Sequence, residues 1–385
     1  MRILMGLPMP WDRQLGGARI HVELAEEMQA LGHTVERFTI VDAFGSVPAG
    51  RRLRNGLLLF PRRLAAHVRR HPGRWDVIDA FEGDVPYGKQ HLRHDGLLVC
   101  RSLGARASYH DFMRAAQRRW PEEGRRGKLY LRPWRSWEAR RLVELGDRSA
   151  RAADLVLVPN RDEEQLFAAR LGVGERTVRV PFGLTDERMT AFAAAAELPA
   201  RRHSCPRLAF VGTWTSRKGA RELPEILRRL QAVRPDITLG LLGVSTPSQR
   251  VKAEMGDPAG LEIVEHFASA DLPGLLATAT VGIFPSYVEG FGFAVLEKLA
   301  AGVPVVAYDA PGPREMLSDA SWPGLTAPGD LDAFTSAVLS ILDAPVARYA
   351  QMSAEAERIA QRFRWPGIAR QTVDLYEQGL RKLAT

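Results

Sequence analysis

The chain has 385 residues and carries 53 lysines and arginines against 45 acids, a net charge of +8. At about 150 residues per domain this length points to two or three domains, and 45% apolar with 25% charged residues is average globular usage, which excludes disorder. Residues 1–200 hold 33 basic and 25 acidic side chains and the remainder 20 of each, so the whole excess sits in the first half, where basic surface implies a phosphate-bearing or otherwise anionic partner.

Strands are predicted at residues 2–7, 34–40, 76–81, 96–100, 154–159 and 177–180. Between them lie helical patterns such as 18–31, closed by Gly32, and 160–171, opened by an Asn160 cap and closed by Gly172. Periodicity fades over 190–206, which reads as a linker. The pattern restarts with strands at 207–212, 237–243, 261–265, 281–284 and 303–307 and helices near 217–234 and 291–301. A last helical pattern runs from Trp365 to about Lys382. Such alternation specifies an α/β fold of two Rossmann-like, doubly wound domains, whose ligands bind outside the carboxyl ends of the strands; two facing sheets would form a cleft. The expected division is 1–189, a linker 190–206, 207–364, and a C-terminal segment 365–385.

Cys100 and Cys205 sit in no CxxC or Cys/His cluster, so neither a disulfide framework nor a zinc site is expected and a reduced, cytoplasmic compartment fits. No run is long or apolar enough for a signal peptide or a membrane span, and the expectation is a soluble or at most peripheral protein.

Chemistry concentrates between residues 285 and 307. A strand ends at Phe284, a turn holding Glu289 and Gly290 follows, and a helix begins near Gly292, before Phe293. The unpaired N–H groups of that helix end form an anion site, and the glycines let a phosphate approach the backbone. Glu297 lies eight residues beyond Glu289, roughly 12 Å if helical. A diphosphate flanked by two hydroxyl-bearing rings has this layout, with one carboxylate per ring. The same two acids would equally serve as a first-turn partner of the helix dipole and a solvated helix residue.

With Ala301-Gly-Val-Pro-Val-Val-Ala and Pro311-Gly-Pro-Arg-Glu-Met-Leu downstream, this segment resembles the E-x7-E signature of the retaining glycosyltransferases of the GT-B fold, family 4. The likeness extends over nearly the whole chain. Phe210-Val-Gly-Thr-Trp-Thr-Ser-Arg217-Lys218-Gly is similar to the family's strand and phosphate loop, and Gly16-Gly17 to its glycine loop after the first strand. The resemblance implies retaining, metal-independent transfer from a nucleotide-diphosphate sugar, UDP- or GDP-linked, to an acceptor hydroxyl, with no further cofactor. It assigns Lys218 and Arg217 to the diphosphate and Glu289 to the sugar hydroxyls. Glu297 falls to the ribose, the backbone of Gly290, Phe291, Gly292 and Phe293 to the phosphates, and His266 with Phe267 to the base. Cations opening the helix near 217 would oppose its dipole, which a bound anion would explain. The resemblance also implies that the segment after Trp365 crosses back onto the N-terminal domain. An epimerase or hydrolase on the same fold, or a non-catalytic sugar-nucleotide or membrane-binding module, would keep many of these features.

Three positions depart from the family. Thr213 stands where the family more often has Arg, and Phe182 where it has the Asn of a Pro-Asn-Gly turn. Leu103 occupies the place of a His near the reacting sugar, and Leu carries no proton. His33 and His110 read as surface or capping residues, and Asp330-Leu-Asp332 as a helix cap rather than a metal motif.

Residues 51–75 hold Arg51, Arg52, Arg54, Arg62, Arg63, Arg69, Arg70 and Arg74 with no acid, interrupted by Leu57, Leu58, Leu59, Phe60 and Leu64. A second tract over 114–141 mixes arginines and Lys128 with Trp120, Tyr130, Trp134 and Trp137. Cations with aromatics suit an anionic membrane surface that presents a glycan or lipid-linked acceptor. Arginine stems covering core aromatics would leave the same pattern. No nucleic-acid motif accompanies it, so a nucleic-acid partner is not expected.

Overall fold

The computed structural model describes residues 1–46, 51–120 and 132–384, with the side chains of 51–55 and 132–135 outside that description. Arg51, Arg52, Arg54, Lys128, Tyr130 and Trp134 of the two basic tracts therefore lie outside the described side chains.

The first sheet contains β1 (Arg2–Leu7), β2 (Thr34–Thr39), β3 (Val77–Phe81), β4 (Leu97–Arg101), β5 (Leu155–Val158) and β6 (Thr177–Arg179), in the order β2-β1-β3-β4-β5-β6. The second contains β7 (Arg207–Val211), β8 (Thr238–Leu242), β9 (Leu261–Val264), β10 (Val281–Phe284), β11 (Val305–Tyr308) and β12 (Leu325–Thr326), in the order β12-β11-β10-β7-β8-β9. Every pairing is parallel. Helices cover parallel strands on both faces, so the central strands are near-continuous apolar runs rather than alternating ones. Leu155–Val158 and Val305–Tyr308 are buried along their whole length. Strand order reverses between β1 and β3 and between β7 and β10, and the carboxyl ends of those strands are where doubly wound sheets bind ligands.

The chain divides into two compact units, one of residues 1–182 with 365–385 and one of residues 183–364. The break at Phe182 differs from the expected one near 189, and residues 190–206 are not an extended linker. Helix Asp186–Ala195, capped by the Thr185 side chain, and helix Pro199–Ser204 occupy most of that stretch. Arg202 is buried there and donates to the Ala301 carbonyl at 2.9 Å and to Ser353 Oγ at 2.7 Å. Alanine is the best helix former and carries little hydrophobic contrast, so a run of it hides a helix from a periodicity search.

In the first unit, helix Trp365–Ala384 packs beside helix Gly16–Ala30. Trp365, fully buried, donates Nε1–H to Glu23 at 2.6 Å. Deeper in, Arg101 pairs with Asp79 at 2.7 Å and donates to the Tyr376 hydroxyl at 3.0 Å, and that hydroxyl also donates to Asp79. All three are at most 1% exposed. Removing Arg101 or Asp79 would strand the other's buried charge, a cost of about 3–5 kcal/mol, and the Tyr376 hydroxyl ties the C-terminal helix to that pair. The basic tracts contribute to helices Arg51–Arg70, Arg106–Arg119 and Arg132–Ala152. Among the described residues no helix is long and apolar enough to cross a membrane.

Candidate active site

The switch point of the second sheet is built from the loops that follow β7 and β10. After β7 the chain makes a short 3-10 turn, Ser216–Lys218, and helix Leu223–Val233 starts five residues later. Arg217 and Lys218 therefore do not open that helix, and opposition to its dipole does not explain them. Their partner is Glu289. Lys218 Nζ donates to Glu289 Oε2, Arg217 Nη1 donates to the same oxygen at 3.3 Å, and Ser286 Oγ lies 3.5 Å from it. Two backbone contacts fix the loops in register: Tyr287 N–H donates to the Arg217 carbonyl at 2.9 Å, and Ser286 Oγ to the same carbonyl at 3.2 Å. Gly219 makes the approach possible. Its φ of +82° suits glycine, and a Cβ there would stand 2.3 Å from the Pro285 carbonyl oxygen.

Burial pushes the Glu289 carboxyl up, but Lys218 and Arg217 outweigh it and hold the group below its ordinary range, ionised at neutral pH. Burial pulls the Lys218 ammonium down, and attraction to Glu289 offsets only part of this. Lys218 Nζ also sits 4.9 Å from the centre of the Phe284 ring. From the other side Lys298 Nζ lies 5.2 Å from that ring and donates to the Ile283 carbonyl at 3.1 Å. Lys298 is 0% exposed, and burial, reinforced by Lys218 and opposed by Glu297, lowers its pKa to about 7.

Glu289 lies in the turn itself, so the eight residues to Glu297 are not helical throughout. Helix Phe293–Ala300 begins after Gly292, whose φ of +91° swings the chain into it with no capping side chain, and the Gly292 carbonyl accepts from the Val295 N–H at 2.8 Å. Gly290 and Phe291 are buried and Phe293 is half-buried, its ring edge-on to Phe291 at 5.5 Å. Glu297 is 5% exposed, and its Oε1 accepts from Arg188 Nη2 at 2.8 Å. Arg188 also donates to Ser269 Oγ at 2.7 Å and to the Ser269 carbonyl at 3.1 Å. One guanidinium thus joins Glu297 to the segment that follows Phe267. The Phe267 ring packs on Gly243, and His266 is exposed.

Gly16 and Gly17 belong to the first unit and open helix Gly16–Ala30. A Cβ on Gly17 would meet the Met9 side chain at 3.3 Å and Leu103 at 3.8 Å, so the glycine loop and the position lacking a His are neighbours. Around Leu103 the first unit holds buried acids. Glu163 accepts from Ser102 Oγ at 2.5 Å and from Asn160 Nδ2 at 3.1 Å, and Glu82 accepts from the Arg106 N–H at 3.2 Å. Burial raises both carboxyls to about 7, and raises Asp84 well above its ordinary value. Among the described residues no group of three or more His, Cys, Asp or Glu side chains could hold a metal ion. Asp330 caps helix Leu331–Leu342 by accepting from the Ala333 N–H at 2.9 Å.

Sequence reasoning missed Arg188 and Lys298. Arg188 meets Glu297 across 109 positions of sequence, and no local pattern announces such a pair. Lys298 adjoins Glu297, yet a lysine in a helix reads as solvent-facing.

Residues 205–344 match the family Glycosyl transferases group 1. That stretch contains Arg217, Lys218, Glu289 and Glu297. The MMP alpha-(1->4)-mannosyltransferase of Mycolicibacterium hassiacum is 29% identical over 61% of this chain and 54% of its own length. The O-antigen chain mannosyltransferase B of Escherichia coli is 31% identical over 44% of this chain and 45% of its own. The chain thus spans about half the length of the curated relatives it matches. Among solved structures, a sucrose-phosphate synthase of Thermosynechococcus elongatus superposes with a TM-score of 0.74 at 19% identity, covering 98% of this chain and 99% of that one. HepE of Anabaena, solved with UDP and glucose, gives 0.68 at 17% identity, covering 98% and 100%. At such identities the likeness shows the fold, which is GT-B: two α/β units, each with a parallel six-stranded sheet.

Proposed function

We propose that the chain is a retaining, metal-independent glycosyltransferase of family 4, moving a hexose from a nucleotide-diphosphate sugar to an acceptor hydroxyl. The observation that carries this reading is the Lys218–Arg217–Glu289 cluster beside the uncapped helix end at the switch point of the second sheet. Two cations held by one carboxylate form an anion site whose counter-ion is already present. A diphosphate takes that place without moving the cations, and Glu289 is released toward the sugar hydroxyls. The N–H groups from Gly290 to Phe293 join the diphosphate, Glu297 takes the ribose, and His266 and Phe267 flank the base. As the bond from the anomeric carbon to the diphosphate breaks, negative charge grows on the leaving phosphate, and fixed cations with N–H groups stabilise it without rearranging. The acceptor oxygen bonds to the anomeric carbon on the leaving-group side, and its proton passes to a phosphate oxygen.

The names of the two curated relatives, both mannosyltransferases, and UDP and glucose in HepE support a UDP- or GDP-hexose donor. The basic surface of the first unit, carrying Arg62, Arg63 and Arg69, supports a lipid-linked or cell-surface glycan acceptor met at an anionic membrane from the cytoplasmic side. A thermal-shift panel of nucleotide sugars identifies the donor, since ligand at 100 times its Kd adds about 2.7 kcal/mol. Product analysis with the donor so found then tests transfer, and Glu289→Ala tests the site. Donor binding and turnover unchanged in Glu289→Ala would overturn the assignment. Salt-sensitive pelleting with anionic vesicles tests the membrane contact, and equal recovery in the supernatant with and without vesicles at low salt rejects it.

A further inference from the structure

The first unit contains a groove of about 680 Å³ between helix Arg51–Arg70, the loop after β3 and helix Arg132–Ala152. Its volume is in the range of small-molecule sites, about 300–1,000 Å³. Helical spacing explains how its walls arise. Leu58 and Arg62 are four residues apart on one helix, and Trp137, Arg141, Glu144 and Arg148 are spaced by four, three and four on the other, so each set lines one face.

The chemistry of the lining is mixed in a particular way. Leu58, Leu59 and Pro61 supply an aliphatic wall, and Leu59 and Trp137 are 43% and 44% exposed, large apolar side chains left open to solvent in one groove. Three arginines face a single acid, and that acid, Glu144, is already paired with Arg141 at 2.5 Å. Neither Arg62 nor Arg148 forms an ion pair among the described residues. Guanidinium groups match carboxylates and phosphates through paired N–H donors. A free phosphate would leave the aliphatic wall in water, and a neutral lipid would leave Arg62 without a counter-ion and Arg148 with only a share of the Glu144 charge.

We propose that this groove binds a single anionic amphiphile, its aliphatic chain along Leu58, Leu59 and Pro61 and its phosphate or carboxylate head on Arg62 and Arg148. As the seat of a lipid-linked acceptor the groove rests on the transfer reading above; the binding itself does not.

The test is a fluorescence titration of the full chain with dodecyl phosphate below its micellar concentration, using Trp137 as reporter. Dodecyl maltoside and inorganic phosphate serve as the neutral and tail-less probes. The expected result is saturable binding of dodecyl phosphate at least tenfold tighter than dodecyl maltoside, with no saturation by inorganic phosphate over the same range. The fluorescence change should vanish in Trp137→Phe. Affinity should fall at least tenfold in the double variant Arg62→Gln/Arg148→Gln, whose melting temperature should match wild type because both side chains are exposed. Equal affinity for the maltoside, saturation by phosphate alone, an unchanged double variant, or no saturable binding would each overturn the proposal. Thermal shift by UDP or GDP, read on the same samples, separates the two ideas. Donor binding without amphiphile binding rejects the groove alone, and amphiphile binding without donor binding or transfer rejects the enzyme reading alone.

Discussion

The carboxyl edges of the two sheets hold buried acids in opposite electrical settings. In the second unit Glu289 is met by Lys218 and Arg217 and kept below its ordinary range. In the first, Glu82 and Glu163 are raised to about 7 by burial, with hydrogen bonds and Arg106 offsetting only part of the cost. The same residue type therefore does different work. Glu289 balances two cations, Lys218 and Arg217. Glu82 and Glu163 take hydrogen bonds from Ser102 and Arg106, and so hold the loop that carries Leu103.

The largest expected effect breaks the second unit's balance. Lys218→Met keeps the stem and removes the charge, and should lower kcat/KM for transfer by about 10²–10³, roughly 3–4 kcal/mol, the range for losing one preorganised charge stabiliser. Steady-state kinetics with the donor from the thermal-shift panel measures it. A loss below threefold would mean that Lys218 only neutralises Glu289.

Lys298 sharpens the comparison, because it is a buried cation with no carboxylate of its own. Its pKa is about 7 in the fold and near the ordinary 10.5 when unfolded. Between those values the unfolded chain binds the proton that the folded chain has lost, so stability rises with pH across about 7 to 10.5. Below pH 7 the whole cost of the buried charge is present. Lys298→Met should raise stability at pH 7 by on the order of 2 kcal/mol and flatten the rise. Denaturant melts at pH 7, 8.5 and 10 decide it, and an unaltered slope would mean that Lys298 stays charged.

How far the sequence reached follows the same physics. Eleven of the twelve strands were legible: the central ones as unbroken apolar runs, the edge strands β2, β6 and β9 as short β-branched stretches bounded by turns; β12, two residues long, offers no run to read. Helix Asp186–Ala195 was missed because an alanine run has no hydrophobic period, and Pro199–Ser204 because six residues with one proline and four polar side chains show no periodic face. At the site, Glu289, Lys218 and Glu297 were named from local motifs. Lys218 is assigned by the resemblance; the supporting expectation of a cation opposing a helix dipole fails, since the helix starts at Leu223. Long-range partners such as Arg188 leave no local trace.

Arg188 gives the next effect in size. It holds Glu297 and Ser269 together, so Arg188→Met should weaken nucleotide binding about tenfold, near 1.4 kcal/mol, while kcat changes less. The comparison that identifies a positioning role is UDP or GDP against the 2′-deoxy nucleotide. If Arg188 works through Glu297 on the ribose, the variant should lose most of its preference for the ribose form. Retained preference would place Arg188 outside the nucleoside site.

The smallest effect tests the first unit. Glu163 stays protonated in the fold up to about 7, whereas in the unfolded chain it ionises near its ordinary 4.5. Between those values the folded chain keeps a proton that the unfolded chain has lost, so stability falls as pH rises from about 4.5 to 7. Glu163→Gln cannot ionise, and one amide oxygen can still accept from Ser102. The variant should differ from wild type by no more than about 1 kcal/mol at pH 5, where the two side chains are nearly isoelectronic. Its decline toward pH 7 should be shallower, with Glu82 supplying what remains. Melts across that window read the difference. An unchanged slope would show that the hydrogen bonds from Ser102 and Asn160 keep Glu163 ionised, and the two edges would then differ in partners but not in charge.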